Sequence, residues 1–207
     1  MLSARAIHPN DKVLKARALE FIRLEARGGL FERPAKLLND AMQSGQAIVV
    51  EAGERIVATA LMFDYTGEMR HYFELGTHLV AKDHEGRGIQ VALTRIQLAQ
   101  ACLDLESLEI SPIFAVMENN SPSAHNAETR VKFKRWALPD ELAGLRERRG
   151  VSLTAEKVVY AADDEAVEDA FSSLRVDVTD NVLTTHKGEY IRLEFPWFER
   201  LLKAGPY

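Results

Sequence analysis

Residues 75–93, with the sequence LGTHLVAKDHEGRGIQVAL, constrain the fold more than any other part of the chain. An apolar stretch is followed by a short polar turn, two glycines around an arginine, and an amphipathic run that continues to about Leu105. This order predicts a strand, a loop and a long helix, which brings backbone N–H groups and the positive end of a helix dipole to one point. Gly86 and Gly88 lack a Cβ, so a pyrophosphate can approach the backbone closely, and Arg87 adds a charge-assisted donor. The segment therefore predicts an anion-binding site.

Common motifs of other enzyme classes are absent. The third glycine of the dinucleotide-binding motif is missing, and there is no GxxxxGK[ST] phosphate loop. No Gly-x-Ser-x-Gly turn indicates a serine hydrolase, and the six histidines show neither an HExxH pattern nor the spacing of a structural zinc site. The single cysteine, Cys102, falls on the apolar face of the long helix and is expected in the core. We therefore expect no metal site.

The segments around residues 75–93 alternate between strand and helix patterns. Period-two alternation and apolar runs predict six strands, at residues 2–6, 47–52, 56–63, 72–81, 112–117 and 157–162. Apolar stripes at helical spacing predict four helices, at residues 13–27, 34–43, 90–105 and 123–136, and residues 139–149 fit either a helix or an ordered loop. This order matches one mixed sheet covered by helices, an α/β (α+β) architecture. A helix at 165–174, a strand pair at 182–185 and 190–193, and a terminal helix at 197–203 are expected beyond it.

The charge and hydropathy of the sequence limit which kinds of partner the protein is expected to bind. The net charge of −5 is spread over interspersed acidic and basic residues, so we expect no nucleic-acid partner. No apolar run approaches the roughly 20 residues that cross a bilayer, and the first residues lack the apolar core of a signal peptide. We expect a cytoplasmic protein without a membrane partner. The aromatic residues at 195–198 fit core packing or a homodimer interface.

The hexapeptide EGRGIQ at residues 85–90 resembles the coenzyme A motif of the GNAT (Gcn5-related N-acetyltransferase) superfamily, Gln/Arg-x-x-Gly-x-Gly/Ala. Gly88 matches the motif, whereas Glu85 and Gln90 differ from it, and the surrounding strand, turn and helix supply the rest of the resemblance. The resemblance implies a GNAT-like acyl-CoA N-acyltransferase domain at residues 1–162, with a mostly antiparallel sheet, and a C-terminal extension at 163–207 packed on it. The implied cofactor is acetyl-CoA or another acyl-CoA.

The resemblance also implies which residues hold that cofactor. The backbone of Leu79 and Val80 is expected to pair with the pantetheine arm, and the N–H groups at residues 87–90, which include Ile89, to hold the pyrophosphate. Glu85 and Gly86 complete the loop. Asn126 lies on the helix before Phe133, and Phe133 stands where many members have a tyrosine that protonates the departing thiolate.

Amine acylation needs a group that takes the ammonium proton, and three residues are candidates for this base: Glu74, His78 and Glu118. Glu74 and His78 share one face of their strand, and Glu118 follows the neighbouring strand. Glu74 precedes Glu85 by the spacing found for the glutamate base of histone-type members. The implied function is transfer of an acetyl or acyl group from acyl-CoA to a primary amine of a small molecule or peptide. The alternatives are a degenerate member that binds acyl-CoA or a protein partner without turnover, and an acyltransferase that takes long acyl chains or a carrier-protein donor.

Overall fold

The computed structural model describes residues 1–26, 33–68, 70–103, 108, 111–195 and 200. The ten strands of this part of the chain form a single sheet in the order β6-β7-β5-β4-β3-β2-β1-β10-β9-β8. The pairs β4·β5 and β1·β10 are parallel and the others are antiparallel, which confirms a mixed, mostly antiparallel sheet. The strands are β1 Leu2–Ala6, β2 Ala47–Ala52, β3 Arg55–Thr66, β4 His71–Val80, β5 Ile113–Glu118, β6 Lys134–Arg135, β7 Lys157–Ala161, β8 Val178–Thr179, β9 Val182–Thr184 and β10 Tyr190–Glu194.

Helices flank this sheet where apolar stripes predict them. In the described residues they are α1 Lys12–Glu25, α2 Ala35–Gln43, α3 Ile89–Cys102, α4 Pro122–Arg130, α5 Asp140–Arg148 and α6 Asp164–Asp177. Side chains of Asp11, Ser121 and Asp163 accept hydrogen bonds from the first turns of α1, α4 and α6, which fixes where these helices begin. The predicted terminal helix at 197–203 lies outside the described residues except for residue 200.

The central strands are buried on both faces. In β2, Ala47, Ile48, Val49 and Val50 are all fully buried, which is the pattern of a strand covered by helices on two sides. Burying one Ile or Val side chain contributes about 1.5–3 kcal/mol, so these residues stabilise the middle of the sheet, where β3 and β4 lie.

The prediction of a helix at residues 123–136 is wrong in its second half. The helix ends at Arg130, and Lys132 adopts a left-handed conformation with φ of 65°. The N–H of Phe133 then donates to the carbonyl of Ala127 at 2.9 Å, and residues 134–135 form an edge strand on β7. Strand pairing and the burial of Phe133 therefore outweigh the local helical pattern.

The C-terminal segment continues the same sheet. β10 adds in parallel to β1, with Leu2 opposite Ile191 and Ala4 opposite Leu193. Ile191 and Leu193 are buried while their neighbours in β10 are exposed, so this strand covers the core with one face. α6 packs against α3, and residues 183–186 lie beside Gly88 and Val91 at the start of α3.

Candidate functional site

A cleft opens where β4 and β5 separate. The two strands pair at Phe73 with Ile113 and at Glu74 with Phe114, and a cavity of about 110 Å³ lies beyond this point. On its other edge, β4 stays paired with β3 as far as Val80. The residues that line the cavity are Ile22, Ala26, Arg33, Leu75, Gly76, Thr77, His78, Leu79, Gln90, Val116, Met117, Glu118, Ser121 and Ser123. The cleft therefore offers the edge of a strand to an extended ligand.

A β-bulge distorts β4 at the middle of the cleft. Thr59 pairs with Leu79 and Leu61 with Gly76, so two residues of β4, Thr77 and His78, oppose one residue of β3. Thr77 has a φ of 52°, and its carbonyl accepts a hydrogen bond from the hydroxyl of Thr59 at 3.2 Å. Such a bulge bends the strand and turns its groups away from the regular ladder. Gly76, Thr77 and His78 all face the cleft as a result.

Residues 85–88, which we call the glycine loop, and the start of α3 lie at one end of this cleft. Gly86 and Gly88 have φ of 72° and 79°, and Gly88 caps α3 in the left-handed conformation. The first N–H groups of a helix have no partner within it, so the start of α3 presents donors to an anion. The Nε2 group of Gln90 donates to the hydroxyl of Ser123 at 2.8 Å, which joins α3 to α4 beside the cleft.

The residues expected to hold the cofactor lie in different positions around this end. Leu79 lines the cleft, and Val80 is half-buried at the end of β4. Ile89 is buried in the core, so it can contribute to a ligand through its backbone. Glu85 is exposed, and Asn126 lies on α4 one turn after Ser123.

Contacts from the C-terminal segment hold the glycine loop. The hydroxyl of Thr185 donates to the carbonyl of Arg87 at 2.6 Å and accepts hydrogen bonds from the N–H groups of Lys187 and Glu189. The guanidinium of Arg87 contacts the carboxylate of Glu189 at 3.2 Å. A Cβ on Gly88 would lie 2.9 Å from a ring nitrogen of His186. Gly88 therefore leaves room for the C-terminal segment, whereas Gly86 has open space where its Cβ would be.

Glu74 is fully buried in a cluster of charged and aromatic residues. Its carboxylate accepts hydrogen bonds from the guanidinium groups of Arg33 and Arg146 and from the hydroxyl of Tyr65 at 3.0 Å. Burial, and next the Glu74 charge, raise the pKa of Tyr65 far above its usual value, so Tyr65 acts here as a neutral donor. We call Glu74, Arg33, Arg146 and Tyr65 the Glu74 cluster.

His78 lies at the bulge, and both of its ring nitrogens have neighbours. Nε2 lies 2.6 Å from the Oε1 atom of Gln97, and Nδ1 lies 3.3 Å from the hydroxyl of Thr94. The amide nitrogen of Gln97 donates to the carbonyl of Gln46 at 3.4 Å, which orients Oε1 toward the histidine and favours a proton on Nε2. Burial lowers the pKa of His78 to about 4, so the ring is neutral at pH 7.

Glu118 is the third predicted base and the most accessible of the three. It ends β5, is exposed, and lines the cleft. Its register partner on β7 is Lys157. Residues His78 and Glu118 thus line the cleft, while the carboxylate of Glu74 belongs to the buried cluster. Sequence reasoning missed Arg33, Arg146 and Thr185, because residues far apart in the chain give no local pattern.

The described residues contain neither a candidate metal centre nor a membrane-spanning helix. No group of three or more His, Cys, Asp or Glu side chains in them is placed to hold a metal ion. None of the helices in this part of the chain is long and apolar enough to span a membrane.

Comparisons with known proteins identify the fold. No family model matches the sequence, and a search of curated proteins found no match. The structure is similar to Naa50 of Arabidopsis thaliana in complex with a bisubstrate analogue, with a TM-score of 0.55 and 13% identity over 78% of this chain and 98% of that one. It is also similar to a GNAT family acetyltransferase of Elizabethkingia anophelis with acetyl-CoA bound, with a TM-score of 0.52 and 10% identity over 78% of this chain and 97% of that one.

A third similar structure is the N-acetylglutamate synthase of Neisseria gonorrhoeae complexed with coenzyme A and N-acetyl-glutamate. Its TM-score is 0.53, at 18% identity over 79% of this chain and 35% of that one. At these identities the similarity identifies an architecture alone. The chain therefore has the acyl-CoA N-acyltransferase fold of the GNAT superfamily.

Proposed function

We propose that this protein is an N-acyltransferase that moves an acetyl or acyl group from acyl-CoA to a primary amine. The observation that carries the proposal is the cleft between β4 and β5, which is lined by residues 75–79 of β4 and by Gln90 in the first turn of α3. A strand edge that leads to the start of a helix suits a ligand with an extended amide-bearing arm and a pyrophosphate at its end. When bound, acyl-CoA supplies an activated thioester.

Particular residues have the right chemistry to bind that ligand. The backbone of Leu79 and Val80 can pair with the pantetheine arm, and the N–H groups at residues 87–90 can donate to the pyrophosphate. Gly86 has open space beside it, so nothing in the described residues blocks an anion there. These assignments rest on the position of the residues around the cleft and on the fold.

Glu118 is our proposed base for the amine proton. An amine must lose a proton to attack a carbonyl, and a carboxylate in the cleft can accept that proton directly or through a water. Glu74 is less suited to this role because Arg33, Arg146 and Tyr65 already occupy its oxygens. His78 is less suited because both ring nitrogens have polar neighbours within the protein.

The first test is stabilisation by acetyl-CoA. A ligand that binds only the folded state at about 100 times its Kd adds about 2.7 kcal/mol to the free energy of unfolding. For a chain of this size we expect Tm to rise by about 5–11 °C, as measured by differential scanning fluorimetry. An unchanged Tm with millimolar acetyl-CoA and with free CoA would contradict the proposed site.

Binding without turnover is the second candidate function. The observation that favours it is Phe133, which is buried and has no hydroxyl where the resemblance expects a proton-donating tyrosine. Release of the CoA thiol in the presence of amines separates the two candidates. A rise in Tm with acetyl-CoA, but no thiol release with any amine tested, favours the binding protein.

A second test concerns the C-terminal segment. Thr185→Val keeps the side-chain shape but removes the donor to the carbonyl of Arg87 and the acceptor for the N–H groups of Lys187 and Glu189, so the C-terminal segment holds the glycine loop less firmly. The hydrogen bond to Arg87 alone contributes about 0.5–1.5 kcal/mol, so we expect CoA affinity to fall by about 2- to 10-fold or more in isothermal titration calorimetry. Thr179→Val is the control, because Thr179 is exposed in the same segment. Equal affinities of the two variants would show that the hydroxyl of Thr185 does not support CoA binding.

A further inference from the structure

The cation within the glycine loop, Arg87, is engaged by the protein itself. One terminal nitrogen of its guanidinium donates to the carboxylate of Glu189 at 3.2 Å, and the other donates to the carbonyl of Asp83 at 2.9 Å. A ligand phosphate at this end of the cleft would compete with Glu189 for Arg87. Other cations are therefore needed if the charge of such a ligand is to be matched.

Two exposed cations, Arg130 and Lys187, are placed near the glycine loop by separate elements. Arg130 ends α4, and its carbonyl accepts a hydrogen bond from the guanidinium of Arg95 on α3 at 2.8 Å. Lys187 lies between β9 and β10, and its N–H donates to the hydroxyl of Thr185 at 3.3 Å. The same hydroxyl donates to the carbonyl of Arg87. The backbone contacts thus hold Arg130 beside α3 and Lys187 beside the glycine loop.

The ring of His186 shows that these cations lie close together. A Cβ on Gly88 would lie 2.9 Å from the Nδ1 atom of His186, so this ring packs directly on the glycine loop. Burial, and next the positive charges of Arg130, Lys187 and Arg95, lower the pKa of His186. The ring that contacts Gly88 is therefore neutral at pH 7 and lies within the field of all three cations.

Two of these three cations have no carboxylate partner in the part of the chain that the structure describes. Arg95 is paired, with Asp169 at 3.0 Å and Asp177 at 3.9 Å. The side chains of Arg130 and Lys187 are exposed and form no ion pair or hydrogen bond with any described residue. An anion that passes the start of α3 would therefore meet two cations that the protein leaves unpaired.

The nucleotide end of acyl-CoA carries an anion of this kind. If the pantetheine arm lies along β4 and the pyrophosphate at the N–H groups of residues 87–90, the nucleotide must extend away from the cleft, past the start of α3. Its 3′-phosphate is a monoester with a charge of about −1.5 to −2 at pH 7. Two cations match this charge. An acyl group on the phosphopantetheine of a carrier protein lacks the 3′-phosphate.

We propose that Arg130 and Lys187 bind the 3′-phosphate of acyl-CoA, so that the donor is a free nucleotide thioester and not an acyl carrier protein. This inference rests on the proposed function. The guanidinium of Arg130 donates charge-assisted hydrogen bonds to the phosphate oxygens, and the ammonium of Lys187 adds a second charge. Because Lys187 follows Thr185 in the same turn, the C-terminal segment then supports both the glycine loop and the ligand.

The test compares CoA with 3′-dephospho-CoA, which lacks only this phosphate. Isothermal titration calorimetry gives Kd for each ligand. Two contacts between exposed charges predict that the wild type binds CoA about 3- to 30-fold more tightly than 3′-dephospho-CoA. This preference should shrink as salt is added, because screening weakens contacts between exposed charges. 4′-Phosphopantetheine, which lacks the whole nucleotide, is the third ligand and should bind more weakly than CoA.

A double variant, Arg130→Gln with Lys187→Gln, locates the preference. We expect its Kd values for CoA and 3′-dephospho-CoA to differ by less than about 2-fold, with the affinity for 3′-dephospho-CoA as in the wild type. Lys36→Gln is the control, because it removes a charge from an exposed position on α2 that does not line the cleft. Both replaced side chains are exposed, so we expect the double variant to fold, and its Tm is measured first.

Three results would overturn the inference. The first is equal affinity of the wild type for CoA and 3′-dephospho-CoA. The second is an unchanged ratio of the two Kd values in the double variant, which includes an equal loss of affinity for both ligands. The third is binding of 4′-phosphopantetheine as tight as that of CoA, which would indicate a carrier-protein donor. Failure of the proposed function looks different, because none of the three ligands would then bind and acetyl-CoA would leave Tm unchanged.

Discussion

Replacing Glu74 by glutamine is expected to lower the free energy of unfolding by about 3–5 kcal/mol, because it leaves two buried guanidinium groups without a counter-charge. Glutamine keeps the shape of the side chain and one acceptor oxygen, so the loss reports the missing charge. For a chain of this size, a loss of this magnitude corresponds to a fall in Tm of about 6–20 °C. Thermal unfolding, monitored by circular dichroism, measures this fall in Tm.

Glu51 provides a matched control for this prediction. It is also a strand carboxylate with two arginine partners, Arg5 at 2.8 Å and Arg17 at 3.0 Å. The side chains of these arginines are 36% and 37% exposed, so water solvates them when the carboxylate is lost. Glu51→Gln should therefore cost about 1 kcal/mol or less per pair. A loss of stability in Glu74→Gln as small as that in Glu51→Gln would contradict a structural role for Glu74.

A double variant tests whether the uncompensated charge causes the loss of stability in Glu74→Gln. If the uncompensated charge destabilises Glu74→Gln, then Arg146→Met in the same chain should recover part of the lost Tm. Methionine also keeps contact with the rings of Tyr65 and Phe114, which Arg146 faces at about 6 Å. If Glu74 is instead the base, Glu74→Gln should keep its Tm and lose turnover.

The second large effect concerns Glu118. Glu118→Gln is expected to lower kcat by about 10²–10⁴-fold and leave the affinity for acetyl-CoA nearly unchanged, because glutamine cannot take a proton. The loss should shrink as pH rises, since more of the acceptor amine is then already neutral. The measurement is thiol release across a pH series, with an acceptor found by testing a panel of primary amines.

Glu156→Gln is the matched control for Glu118. Glu156 is exposed and does not line the cleft, so its loss should leave kcat within about two-fold of the wild type. Full turnover by Glu118→Gln near neutral pH would transfer the role of base to His78 or to solvent.

The glycine loop shows what local sequence can predict. A strand that ends in Leu79 and Val80, two glycines and an amphipathic run specify strand, turn and helix through short-range sterics and periodicity. The structure has these elements at the expected residues, with both glycines at positive φ. The fold could be predicted to this extent because each element carries its own pattern.

The partners of Glu74 show where this reasoning ends. Arg33 is 41 residues before it and Arg146 is 72 residues after it, and nothing in the pattern around either arginine marks it as buried. On sequence alone, a glutamate on a strand near a cofactor loop fits a catalytic base, whereas burial and two cationic partners depend on the tertiary fold. The same holds for the bulge at Thr77 and His78, because a register shift depends on both paired strands.

The hydrogen bond from Thr185 to Arg87 has a consequence for folding. It joins residues 98 positions apart, so it closes one of the long loops of the chain. Closing such loops costs entropy before the contact can stabilise anything, and long-range contacts of this kind form slowly. The glycine loop should therefore reach its final conformation only after β10 has docked on β1 and β9 on β10, and protection of its amides from hydrogen exchange should appear together with that of β10.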